Sequence, residues 1–140
     1  MAAAARHNCG RHKEPKWDAT PLHDACLVGH GDCAAALIKE GATVDARDRY
    51  DQTPLMWAAT HGDVECAKAC LAGGADPNAE NEDGWTPLHF ATVYGRADVV
   101  VALRANGADP KKRDHRWNTP LDQGRLIGWG ETLLARRALE

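Results

Sequence analysis

The apolar residues of this chain fall in short runs at helical spacing, and the runs themselves repeat. Leu22 and Ala25, Leu55 and Ala58, and Leu88 and Ala91 are three apart. Cys33 and Leu37, Cys66 and Cys70, and Val99 and Leu103 are four apart. Either spacing puts the two residues of a pair on one helix face. Each pair lies 33 residues beyond its counterpart, so the pattern predicts paired short helices stacked as a repeat.

The polar positions mark where these helices begin and end. Thr20, Thr53, Thr86 and Thr119 share the 33-residue period, and Pro and Leu follow each one. A threonine hydroxyl caps free backbone N–H groups at a helix start. Proline in the first helical position gives up no hydrogen bond. A glycine follows each first helix (Gly29, Gly62, Gly95, Gly128), suited to the left-handed conformation that closes it. An acid (Asp32, Glu65, Asp98, Glu131) then opens a second helix, where negative charge complements the helix dipole. The second helices stop at Gly41, Gly74 and Gly107, and the segments ATVDARDRYDQ, ADPNAENEDGW and ADPKKRDHRWN predict polar turns leading to the next threonine.

The TPLHxA wording at a period of 33 resembles the ankyrin repeat family, as do GHGD at Gly29 and GADPN at Gly74. The resemblance runs from Trp17 to the C-terminus. It implies an all-α ankyrin-repeat solenoid of helix–turn–helix units joined by β-hairpin-like loops. The units would span 17–49, 50–82, 83–115 and 116–140, with a concave face lined by first helices and hairpin tips. The fourth unit ends at Glu140 and carries Asp122, Gly124, Arg125 and Arg136 where the others have His or apolar residues. It is expected to be a polar C-terminal cap. Residues 1–16, with Arg6, Arg11, Lys13 and Lys16 against Glu14, are expected to form a flexible basic tail or partial cap.

Charge and cysteine content narrow the functional classes. A formal net charge of -3 and a pI near 6.1 give no general attraction to nucleic acid or anionic membranes. The longest apolar runs are far shorter than the roughly 20 residues of a membrane span, and no signal peptide is read. Cys9, Cys26, Cys33, Cys66 and Cys70 are odd in number, and four of them sit in apolar helical patterns. Reduced thiols in the cytoplasm and/or nucleus are the expectation.

Little in the chain points to catalysis. In the family, the histidine represented here by His23 and His89 ties neighbouring loops together. No nucleophile or base stands at a reproducible distance from either. His7, Cys9 and His12 fall short of a four-ligand metal set, and no glycine-rich phosphate loop occurs. The expectation is a protein without enzymatic activity, metal or cofactor. Asn78 matches a position hydroxylated in some ankyrin repeats, although Pro77 replaces the usual aliphatic neighbour; that question stays open.

The aromatic residues supply a candidate binding surface. Trp17, Tyr50, Trp85 and Trp117 fall in hairpins, Trp57, Phe90 and Tyr94 on first helices, and Trp129 at a turn between helices. On the family template the hairpin and first-helix positions border the concave side, and aromatic residues dominate binding hot spots. The candidate contact residues are Tyr50, Gln52, Trp57 and His61, then Trp85, Phe90, Val93 and Tyr94, then Arg116 and Asn118. The expected ligand is another protein, bound by a chain that is monomeric on its own. Two alternatives are nucleic-acid binding through the basic tail and the Lys111–Arg116 tip, and service as a regulatory subunit of an enzyme complex.

Overall fold

The computed structural model describes residues 18–127, and within them the predicted helix pairs are present. The helices are α1 (Pro21–Val28), α2 (Gly31–Lys39), α3 (Pro54–His61), α4 (Val64–Ala72), α5 (Pro87–Val93), α6 (Ala97–Ala105) and α7 (Pro120–Ile127). No strand occurs among the described residues, so the fold is the expected all-α solenoid. First helices pack in one row, α1 on α3, α3 on α5 and α5 on α7; second helices form another, α2 on α4 and α4 on α6. The tail at 1–16, Trp17, Trp129 and the second helix expected after Glu131 lie outside the described residues.

Each threonine does the capping its position predicts. The hydroxyls of Thr20, Thr53, Thr86 and Thr119 accept the backbone N–H three residues on, at 3.2–3.4 Å. Gly29 and Gly62 close α1 and α3 in the left-handed conformation. At the start of α4 the side-chain cap is Asp63, which accepts from the Cys66 N–H; Glu65 lies inside the first turn.

The core runs between the two rows. Leu22, Leu55 and Leu88 are buried, and Ala25, Ala58 and Ala91 beside them let the first helices approach closely. Cys26, Cys66 and Cys70 are buried free thiols that meet across the first two units, with Cys26 Sγ and Cys70 Sγ 3.9 Å apart. Hydrogen bonding with Cys66 and Cys70, then burial, push the Cys26 thiol far above its usual range, which leaves it an inert packing group. Cys33, in the first turn of α2, is buried as well.

The loops between units share one closure. The Asp48 N–H donates to Gln52 O, Asn81 to Trp85 O and Asp114 to Asn118 O, at 2.9–3.0 Å. Each tip places one residue at positive φ, and these residues are 33 apart: Asp18, Asp51, Gly84 and Trp117. Gly84 is the one glycine among them. A Cβ there would come within 2.8 Å of the His115 backbone nitrogen. The third and fourth loops therefore touch backbone to backbone, and the His115 N–H donates to Asp83 O at 3.0 Å.

Candidate functional site

The side where hairpins meet first helices is set by a small group of polar ties. His23 Nδ1 accepts the Thr20 N–H at 3.0 Å, which leaves Nε2 as the protonated nitrogen. Nε2 donates to Gln52 O, in the next loop, at 2.8 Å. His89 repeats this arrangement with the Thr86 N–H and Asn118 O. Both imidazoles are fully buried. Burial lowers their pKa against the opposing effect of the carbonyl they bind and of nearby acids. They are neutral, positioned clamps between units, in the tying role that the family resemblance implied.

The second unit has Met56 at this position and so lacks the clamp. In the fourth, the carboxylate of Asp122 replaces imidazole and accepts the Thr119 N–H at 3.1 Å. That bond holds its pKa below the usual carboxylate range, against the desolvation that burial brings.

A second tie spans nine residues, from loop to first helix. Asp48 Oδ1 accepts the N–H groups of Tyr50 and Gln52, and Oδ2 accepts the Trp57 indole N–H at 2.9 Å. Asp114 does the same with Arg116, Asn118 and the Gln123 amide. Burial alone would raise the Asp114 carboxyl, but the Asn118, Gln123 and Arg116 donors together outweigh it and lower it. In the third unit Asn81 Oδ1 accepts from Asp83 and Trp85, but Phe90 stands where Trp57 and Gln123 stand and has no donor to offer.

Three open cavities adjoin along this side. The central one, about 240 Å³, is lined by Tyr50, Gln52, Asn81, Glu82, Asp83, Trp85 and Phe90. A second, about 260 Å³, shares Gln52 and Phe90 with it and adds Leu27, Trp57, Thr60, His61 and Tyr94. The third, about 300 Å³, shares Asp83 and Trp85 and adds Asp114, His115, Arg116 and Gln123. Eight of the ten candidate residues therefore lie along one continuous groove; Val93 and Asn118 line none of the three cavities.

The candidates differ in what they offer a partner. Tyr50 and Tyr94 are 43% and 50% exposed. Trp57 is 8% exposed and bound to Asp48, so it is chiefly framework with one edge in the groove. Trp85 packs edge-on against Phe90, with ring centroids 5.0 Å apart, and the two form the groove floor. Asn81, Glu82 and Asp83 were absent from the sequence-derived set, which was chosen around aromatic residues.

Other candidate chemistry is accounted for locally. Asn78 donates to Gly107 O and accepts the Asp109 N–H, tying two units together. In the Lys111–Arg116 tip, Lys112 pairs with Glu80 and Arg113 with Asp122, while the Arg113 guanidinium sits over the Trp117 ring at 5.4 Å. No group of three or more metal-binding side chains occurs among the described residues. None of the described helices is long and apolar enough to cross a membrane.

Comparison with known families agrees with this architecture. A family model described as ankyrin repeats matches in three copies, over residues 2–81 and 22–114. None of the curated proteins compared with the chain matches it.

Proposed function

The chain belongs to the ankyrin repeat family, and from that premise we propose that it binds a partner protein, without catalysis, in the groove between hairpins and first helices. Ankyrin repeats are in general protein–protein interaction modules. The observation that carries the choice of surface is the run of three adjoining cavities, with Tyr50 and Tyr94 exposed along it. Apolar side chains gathered beside open cavities are the usual mark of an interaction surface.

The mechanism is preorganisation. The His23 and His89 clamps and the Asp48–Trp57 and Asp114–Gln123 ties fix the loops before a partner arrives. Little ordering cost is then left for the binding step. The basic tip is a weaker candidate for a nucleic-acid surface, because two of its cations are already paired within the molecule.

The test is capture of partners from cell extract by the intact chain and by a Tyr50→Ala/Tyr94→Ala variant. Both rings are substantially exposed, so the variant should melt like the parent. A groove-bound partner should be weakened about thirtyfold or more, the scale of a hot-spot loss. Equal retention by both proteins would move the interface to another face.

A further inference from the structure

The central cavity has two properties its neighbours lack. Its lining holds two carboxylates, Glu82 and Asp83, and no cation. Neither carboxylate has an ion-pair partner among the described residues. It also holds an unmatched donor. Asn81 is 8% exposed, and its Oδ1 is turned to the Asp83 and Trp85 N–H groups, so its Nδ2 is left without a partner. The equivalent side chains, Asp48 and Asp114, are satisfied by Trp57 and Gln123. The fully buried unpaired side-chain atoms among the described residues are Asp63 Oδ2 and Thr92 Oγ1, so solvent reaches Asn81 Nδ2, and an acceptor brought by a ligand can replace that water.

Relative to the units on either side, the charge of this loop is reversed. The positions of Glu80, Glu82 and Asp83 are held by Arg47, Arg49 and Tyr50 one unit earlier, and by Arg113, His115 and Arg116 one unit later. Glu80 is neutralised by Lys112. Glu82 and Asp83 line the cavity together with Tyr50 and Trp85, and the Gln52 side chain there adds a further acceptor. At about 240 Å³ the cavity is smaller than the roughly 300–1,000 Å³ of small-molecule sites, a size for one side chain.

We propose that this cavity is the pocket for an arginine side chain of the partner protein, with a neighbouring main-chain carbonyl of the partner accepting the Asn81 Nδ2–H. The inference rests on the groove being the docking surface. A guanidinium meets every feature at once. Its flat face stacks on aromatic rings, its fork suits carboxylates, and its weak hydration suits a half-buried position. Lysine's compact, strongly hydrated ammonium uses the carboxylates but not the rings in this way. The chain already makes such a stack internally, with Arg113 over Trp117.

The test is an NMR titration of the intact, ¹⁵N-labelled chain with the peptide acetyl-Ala-Arg-Ala-amide, beside matched lysine and norleucine peptides. The arginine peptide should give saturable shifts at the Asn81 side-chain amide and the Trp85 indole. Glu82→Gln/Asp83→Asn should weaken it at least tenfold, and these exposed groups can change without loss of fold. Norleucine shifting the same signals equally, lysine binding as tightly as arginine, an unchanged affinity in the double variant, or no saturable shift would each overturn the assignment. Should the peptide fail while a captured partner still depends on Tyr50 and Tyr94, the arginine pocket falls and the docking surface stands. If capture is indifferent to both tyrosines, the surface itself is wrong.

Discussion

Mild acid should loosen this fold through its two buried clamps. His23 and His89 are neutral in the folded chain, with pKa values lowered from 6.5 chiefly by burial. Folding therefore binds fewer protons than unfolding does, and the sign follows. The stability each clamp contributes is fully present above 6.5 and is lost as pH falls below it. At pH 5.5 an unfolded histidine gains about 1.4 kcal/mol from protonation, and a ring that stays neutral in the fold gains none. The loss between pH 7.5 and 5.5 is thus at most about 2.7 kcal/mol for the pair.

Nearby acids reduce that ceiling. Asp48 and Asp24 favour the charged form of His23, and Asp114 and Glu80 that of His89. Asp114 and Asp122 add acid sensitivity of the same sign, but only below about 4, where their unfolded counterparts protonate. The assay is urea unfolding at the two pH values, with ¹⁵N NMR of the imidazoles to confirm an unprotonated Nδ1. His89→Leu should cost about 1–3 kcal/mol at pH 7.5, through the unpaired Thr86 N–H and Asn118 carbonyl, and should halve the pH dependence. Equal stability at both pH values, or a full pH dependence in the variant, would refute the account.

Two further perturbations separate framework from surface. Trp57→Phe should cost about 1.5–3 kcal/mol by leaving buried Asp48 Oδ2 without its indole donor. Asp48→Asn added to it recreates the Asn81–Phe90 pairing of the third unit, so a double-mutant cycle in urea should show the double variant losing less than the two single losses together. Gly84→Ala should cost more than Gly74→Ala in thermal melts. Both backbones are left-handed, which penalises alanine by about 1–2 kcal/mol, but only Gly84 faces a backbone atom, at 2.8 Å.

The helices and their caps were legible because their signals are local. A threonine three residues from the N–H it accepts, followed by proline, states a helix start in four letters. The His23 and His89 clamps were legible through the family resemblance alone, since their acceptors lie 29 residues away. The loop tips were hidden. Position 84 carries the glycine that a positive φ favours, but Asp18, Asp51 and Trp117 adopt the same conformation because closure of each loop imposes it. Trp57 read as a contact residue because first-helix positions border the concave side on the family template and aromatic residues dominate binding hot spots. Its partner, Asp48, sits nine positions earlier, a spacing that neither helix nor strand periodicity reports.

The central pocket was hidden for a related reason: it is made by a change in how one loop is held. Arg47 and Arg113 each brace their own loop by donating to the carbonyl four residues on, Asp51 O at 2.8 Å and Trp117 O at 2.7 Å. Glu80 occupies the same position in the third loop and has no N–H to give. That loop is held instead by the Arg47 guanidinium of the loop before it, which also donates to Glu80 O at 2.6 Å, by the Asn81 side chain and by backbone. Gly84 takes the positive φ without strain, and its lack of a Cβ lets the His115 N–H reach Asp83 O. With the brace supplied by Arg47, Asn81 Oδ1 and the main chain, the Glu82 and Asp83 carboxylates and the Asn81 amide nitrogen make no side-chain bond outward among the described residues. Phe90 removes the donor that would have claimed the Asn81 position, so the departures at 80, 81, 84 and 90 act together. A local break in an otherwise kept pattern, compensated by backbone, is where a repeat scaffold can carry function without losing its fold.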